Sequence, residues 1–241
     1  MLKPSAVHHV CVAVSLLMLA GLGAAATADM VSQMVHRDLP DGLLDRVASR
    51  FPGNGHLDEM EPSMFTADAS LHLATPAAVS LTFLDERAGY HNEVGYFTFD
   101  GAGQVLDRQA VWADCSKGNP RRGYLAPGDT IDLGTFGAGV NLGFYLIPKG
   151  DPQRAWHTTV DALNPNQDNY TAYFFDEASG YGVLGFEDLM AKPAWGTAYD
   201  DAVLGISTTA VPEPATLSLL AIGLTGLLVR GCTARRRRAL P

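Results

Sequence analysis

Two acidic constellations carry the most chemistry in this 241-residue chain. The first is Asp85-Glu86, at the end of an alternating apolar run, followed by Gly89-Tyr90 and Asn92. The second is Glu187-Asp188, followed after a Pro- and Gly-containing loop by Tyr199-Asp200-Asp201. Carboxylates and amides clustered on loops are hard oxygen donors, and calcium takes six to eight of them. Glu187, Asp188, Asp200 and Asp201 therefore form one candidate calcium set, and Asp85, Glu86 and Asn92 part of another. The competing reading is solvated turn residues, because Asp and Asn side chains bond nearby backbone. Neither cluster has EF-hand spacing.

Catalytic patterns are missing. The chain has no His-Glu-x-x-His, no Gly-x-Ser-x-Gly and no Ser-x-x-Lys set with companion motifs. His36, His56, His72, His91 and His157 are scattered without metal-ligand spacing and read as surface or packed histidines. A glycosidase needs two carboxylates about 5–9.5 Å apart, but in so acidic a chain such pairs arise by chance. Trp112, Trp156 and Trp195 can be core material or a sugar-stacking platform. The expectation is a protein that is not an enzyme, with a carbohydrate-binding module or a carbohydrate-active enzyme as the alternative.

The elements that must position these residues are short. Asp41 stands before Leu43, Leu44, Val47 and Phe51, a spacing that predicts a helix face with Asp41 as its cap. Pro52-Gly53-Asn54-Gly55 stops it. From residue 78 onward Val79, Leu81 and Phe83 alternate with Ser80 and Thr82. Similar runs follow at 94–99, 105–112, 130–136, 142–147, 171–175, 183–186 and 202–207, punctuated by Gly, Pro, Asn or Asp. Many short strands with turn signals and no long amphipathic helix predict an antiparallel β-sandwich or jelly-roll-like domain. The polar stretch 148–169 predicts a surface excursion.

Both ends of the chain are hydrophobic. Lys3 is the only charge before Asp29, and an apolar stretch over residues 10–22 leads to small residues ending at Ala28. That order predicts a secretory signal peptide, cut between Ala28 and Asp29. At the other end, Val211-Pro212-Glu213-Pro214 precedes an apolar run over residues 215–229, then Arg230 and the block Arg235, Arg236, Arg237 and Arg238. The run reaches only about 22 Å as a helix, short of a ~30 Å bilayer core. Snorkelling flanks or local thinning allow it to span at modest cost. Arginines beside a span resist translocation, so the body is expected on the far side of the membrane.

Charge agrees with that placement. The formal net charge is -9, and Lys3 and the tail arginines hold much of the positive share. The stretch between the ends is therefore more acidic still, which repels phosphate backbones and excludes nucleic acid as a partner. Cys11 and Cys232 fall in the two terminal segments, so Cys115 stands alone in the body and no internal disulfide is possible there. Cys115 can be a buried small hydrophobe, a free thiol or a nucleophile.

The tripartite tail, Val-Pro-Glu-Pro then a short apolar span then an arginine cluster, resembles the PEP-CTERM sorting signal of Gram-negative bacteria. The resemblance implies recognition by an exosortase, a membrane cysteine peptidase, and company with exopolysaccharide or biofilm systems. Within residues 78–207, the order Leu-Asp-Glu-x-Ala-Gly-Tyr-x-Asn, Gly-Phe-Tyr-Leu-Ile, Gly-Phe-Glu-Asp-Leu and Tyr-Asp-Asp is similar to domain-of-unknown-function family 4114, a secreted β-rich module. That family's closing motif reads close to Asp-x-Asp-Tyr-Asn-Asp. Here it is Gly196-Thr197-Ala198-Tyr199-Asp200-Asp201, without two of the aspartates, which weakens a calcium role carried over from the pattern.

The organisation expected is a signal peptide over 1–28, a partly helical segment over 29–77, a β-sandwich over 78–208, and a sorting signal with a transmembrane helix over 209–241. The function expected is an exported cell-envelope or exopolysaccharide-matrix protein, structural or adhesive, with calcium as candidate ligand. Its expected partners are signal peptidase, an exosortase-type peptidase and extracellular polysaccharide. Tethering by the tail, then release to the surface, is the expected route.

Overall fold

The computed structural model describes residues 34–51, 64, 69–118, 125–148, 156–189 and 198–212. The signal peptide with its Ala28–Asp29 junction, Glu213, Pro214, the 215–229 span, Arg230, the block 235–238, His56 and Trp195 lie outside the described residues. Among the described residues no helix is long and apolar enough to cross a membrane.

The described chain is mainly β, with antiparallel sheets and one helix. In order it forms β1 (Val35–His36), α1 (Leu43–Arg50), β2 (Leu71–His72), β3 (Ala77–Asp85) and β4 (Glu93–Phe99). Then follow β5 (Val105–Trp112), β6 (Asp129–Phe136), β7 (Asn141–Ile147) and β8 (His157–Thr158). The last three strands are β9 (Thr171–Asp176), β10 (Tyr181–Phe186) and β11 (Ala202–Ala210). One sheet runs β1-β6-β3-β11-β10-β9 and the other β2-β7-β4-β5, with β8 added beside β7.

Strand alternation decides which residues meet. Val79, Leu81 and Phe83 of β3, Leu184 of β10 and Leu204 of β11 share one core with Val94, Trp112, Leu142, Phe144 and Leu146 of the other sheet. Phe83 and Trp112 close this core edge to face, ring centroids 6.4 Å apart. Full burial of a side chain such as Phe83 contributes roughly 1.5–3 kcal/mol. Leu84, one residue on, points to the opposite face of its sheet. There it packs under α1 with Leu43, Val47, Phe51, Phe174 and Val203. A sheet covered on both faces explains why burial runs unbroken over Leu81–Leu84 in β3 and Ala202–Ile206 in β11.

Four sequence expectations change. Asp41 does not cap α1: Gly42 is the N-cap, at φ 68, and no side-chain cap bond forms. Leu44 is exposed while Leu43, Val47 and Phe51 are buried, because a 3.6-residue period repeats one face at steps of four. Residues before Ala78 do more than form a helix, since β1 pairs with β6 and β2 with β7. The polar 148–169 stretch is not only a surface excursion. His157, Thr158 and Thr159 are buried in it, because the Asn164 amide substitutes for a strand, accepting from Thr158 N and donating to Thr158 O.

Candidate metal centre

The site forms where two adjacent strands end and begin. β10 and β11 are antiparallel, and Phe186 pairs with Ala202. Continuing that register one step places Glu187 opposite Asp201. Backbone bonds hold the step: Asp201 N–H donates to the Phe186 carbonyl at 3.0 Å, and Glu187 N–H to the Tyr170 carbonyl at 3.0 Å. Single oxygens of Glu187, Asp188 and Asp201 all lie within 4.8 Å of one another. Glu187 and Asp188 are buried, and Asp201 is half-buried.

Each carboxylate is held by an N–H donor. Asp188 N–H donates to Asp201 Oδ2 at 2.8 Å, and Leu189 N–H to Glu187 Oε1 at 3.2 Å. Asn92, fully buried just before β4, donates from Nδ2 to Asp188 Oδ2 at 2.9 Å. The Glu187 carbonyl accepts from Nδ1 of buried His157 at 2.7 Å, and that ring stacks on Tyr170 at 3.9 Å. Burial keeps His157 below its ordinary pKa, so it serves as a neutral hydrogen-bonding brace.

The electrostatics are lopsided. Burial, then the charges of Glu187 and Asp188, push the Asp201 carboxyl up to about 9. Burial also raises Glu187, with Asp188 adding to it. Three carboxyl groups this close and this dry cannot all stay ionised without a cation, and one keeps its proton. The donor set is oxygen only, which suits a hard divalent cation and not zinc or copper. Three carboxylates with further oxygens from water or backbone fit calcium.

The other sequence candidates face elsewhere. Asp85 is bound by Lys117 Nζ and by Arg87 Nε at 3.2 Å. Glu86 accepts from Lys117 N–H at 2.8 Å, and burial raises its carboxyl. Asp200 is buried, its Oδ2 3.6 Å from Arg87 Nη1, and burial raises it against that pull. Asp85, Glu86 and Asp200 thus flank the cluster without joining it. Asn92 joins it as a donor to Asp188. Tyr199, at φ 51 and buried, turns the chain so that Asp200 and Asp201 point to different partners. A bulky residue held in this region is strained, and such strain marks sites that the surrounding fold over-determines.

Among the other residues singled out by sequence, Cys115 is fully buried and its thiol is pushed up by burial, which removes it as a nucleophile. Trp112 lies in the core. Trp156 is half-buried against Phe97 and Tyr145, with Arg108 5.5 Å above its ring. His36 pairs with Asp129, His72 with Asn141, and His91 with Asp114 and Ser116. His157 and Asn92 were not legible as parts of one site, being far apart in the chain from Glu187 and from each other. No family model matches this chain, nor does any curated protein or solved structure.

Proposed function

We propose that this protein is an exported cell-envelope or exopolysaccharide-matrix component, structural or adhesive in role, whose two sheets form a β-sandwich of jelly-roll type. In this reading calcium fastens the ends of β10 and β11 through Glu187, Asp188 and Asp201. The supporting observation is the meeting of those three carboxyl groups in a buried spot, while the nearby cations Arg87 and Lys117 face Asp85 and Asp200. A divalent ion there supplies the missing positive charge and cross-links two strand ends to the loop between them. The apolar tail with its arginines supports export and tethering, and the Val211-Pro212-Glu213-Pro214 motif supports sorting by an exosortase.

Thermal unfolding of the detergent-solubilised chain, calcium-loaded against chelated, tests the metal. A ligand bound only by the folded state must raise the midpoint. An unchanged midpoint, or an equal rise in Asp201→Asn, sinks the calcium reading. Intact mass of the exported protein tests the processing. A species from Asp29 to near Val211 supports it, and full-length chain in the membrane leaves a plain anchor.

A carbohydrate-binding module is the second reading. It rests on the outer face of the second sheet, where Arg108 lies over Tyr145 at 5.4 Å and over Trp156 at 5.5 Å. Such a cation and aromatic group suits a polyhydroxylated or acidic glycan. Glycan-array binding lost in Trp156→Ala supports it, and binding to no glycan removes it.

A further inference from the structure

The outer face of the second sheet holds a cation that its described neighbours do not neutralise. β5 ends that sheet and, among the described strands, pairs only with β4. The register sets Arg108 opposite Phe97, and directly opposed residues share one face of a sheet. Arg108 is exposed and lies over the rings of Tyr145 at 5.4 Å and Trp156 at 5.5 Å. Arg37, Arg46, Arg87 and Lys117 each reach a carboxylate. Arg108 reaches none among the described residues, in a chain of formal net charge -9.

The acids closest to it in sequence and register are held elsewhere. Asp107 alternates to the opposite face of β5, where it accepts from Gln109 Nε2 at 3.3 Å. Glu93 accepts from the Tyr145 hydroxyl at 3.0 Å. The rings under Arg108 are fixed in their turn. A Cβ on Gly95 would lie 2.5 Å from the Tyr145 ring, and one on Gly143 2.3 Å from the Phe97 ring. Glycine at both positions lets these rings cross the neighbouring strand. Trp156 packs edge-on against both, ring centroids 5.1 and 5.5 Å away. Leu106, two residues before Arg108, is 66% exposed and adds an apolar contact. A guanidinium resting on ring faces keeps the N–H fork in its own plane free for a carboxylate.

We infer that this patch takes a uronic-acid unit of a polysaccharide: Arg108 binds the carboxylate, and Trp156 and Leu106 carry the apolar face of the sugar ring. This rests on the carbohydrate-binding reading and names its sugar class. The negative charge of the chain repels densely charged polymers such as sulfated glycans. A ring bearing one carboxylate beside an apolar face is the chemistry that a lone arginine on aromatic rings matches. An acidic peptide offers its carboxylate on a flexible stem, with no such face next to it.

Calorimetric titration of the detergent-solubilised full chain tests this, with chelator present so that calcium cannot bridge acid to acid. The probes are oligomers of galacturonate, glucuronate and mannuronate, their methyl esters, and oligoglutamate. At least one uronate is expected to bind roughly tenfold or more tighter than its ester, which lacks the charge-assisted contact. Arg108→Gln, at an exposed position where the thermal midpoint should hold, is expected to erase that difference. Trp156→Ala should weaken acid and ester alike. Equal binding of acid and ester overturns the carboxylate contact and leaves the carbohydrate reading standing. An acid preference that survives Arg108→Gln overturns the assignment to this patch. Oligoglutamate bound as tightly as the best uronate, and lost in Arg108→Gln, makes the partner an acidic peptide and overturns the sugar. Binding of no uronate overturns the inference. Neutral glycans bound on an array would then keep the carbohydrate reading, and an empty array would remove it as well.

Discussion

Asp176 and the Glu187–Asp188–Asp201 cluster both withdraw carboxylates from water, and they resolve the cost in opposite ways. Asp176, at the end of β9, is buried and gripped by Arg46 of α1 through Nε at 2.7 Å and Nη2 at 2.8 Å. Arg46, with help from Ser179, holds its carboxyl down at about 2. Asp201 meets Glu187 and Asp188 and no guanidinium, and its carboxyl rises to about 9. A buried charge survives when a partner charge offsets desolvation, and otherwise it neutralises. The Asp176 pair is thus a finished structural contact that pins helix to sheet. The carboxylate cluster meets the same cost by keeping a proton.

The strongest way to break the comparison is to disturb the frame of one site and leave the other alone. A Cβ on Gly185 would overlap the Tyr199 carbonyl oxygen and the Phe51 ring. Gly185→Ala should therefore cost roughly 3 kcal/mol, at the high end for overpacking, and shift the loop carrying Asp201. Chemical denaturation checks the stability loss, and calcium titration should show a weakened response in the same variant. Arg46 and Asp176 stay intact, so the acid limb of stability should be unchanged.

Calcium itself gives the next largest effect. At about 100 times its dissociation constant it should add about 2.7 kcal/mol to the folded state, read as a rise in thermal midpoint. Asp201→Asn should abolish that rise, whereas Arg46 variants should keep it. A smaller loss, about 1–2 kcal/mol, is expected for Asn92→Ala, which removes the buried Nδ2 donor to Asp188 Oδ2. Unlike Asp201→Asn, it should keep a calcium response, because the metal can take over the oxygen that Asn92 releases. A calcium response lost equally in both variants would make Asn92 as essential as the carboxylates.

The smallest effect sharpens the other half. Asp176 titrates near 2 folded against about 3.9 in an unfolded chain. Its stabilisation is complete above pH ~4 and fades as pH falls through about 2. Arg46→Lys keeps the charge but loses the two-pronged grip. Its folded carboxyl should move back toward the ordinary value, so stability is lost above pH ~4, the loss vanishes toward pH ~2, and the acid limb flattens. Thermal midpoints across that range read it directly.

The strand segments were legible because alternation is local. The run 105–112 matches β5 residue for residue, and 94–99 misses β4 by one. β1, β2 and β8, two residues each, carry no period long enough to read. The α1 face was half legible: Leu43 and Val47 face inward, but Leu44 turned outward and Gly42 displaced Asp41 as cap. For the site, composition pointed to Glu187, Asp188 and Asp201 and could not separate them from Asp200. Neighbours in sequence point to opposite faces of an extended chain, and which of the two looks at Glu187 depends on the register of β10 against β11.

Taken alone, the residues determined an acidic body of short antiparallel strands between two apolar ends, because period, punctuation and charge are properties of neighbours along the chain. The tertiary structure alone decided that three carboxyl groups meet, that Arg87 and Lys117 draw Asp85 and Asp200 aside, and that Asn92 and His157 brace the result from elsewhere in the chain. Those outcomes depend on distance and burial between segments far apart in the chain. Strand pairing fixes such distances only once every segment has found its partner.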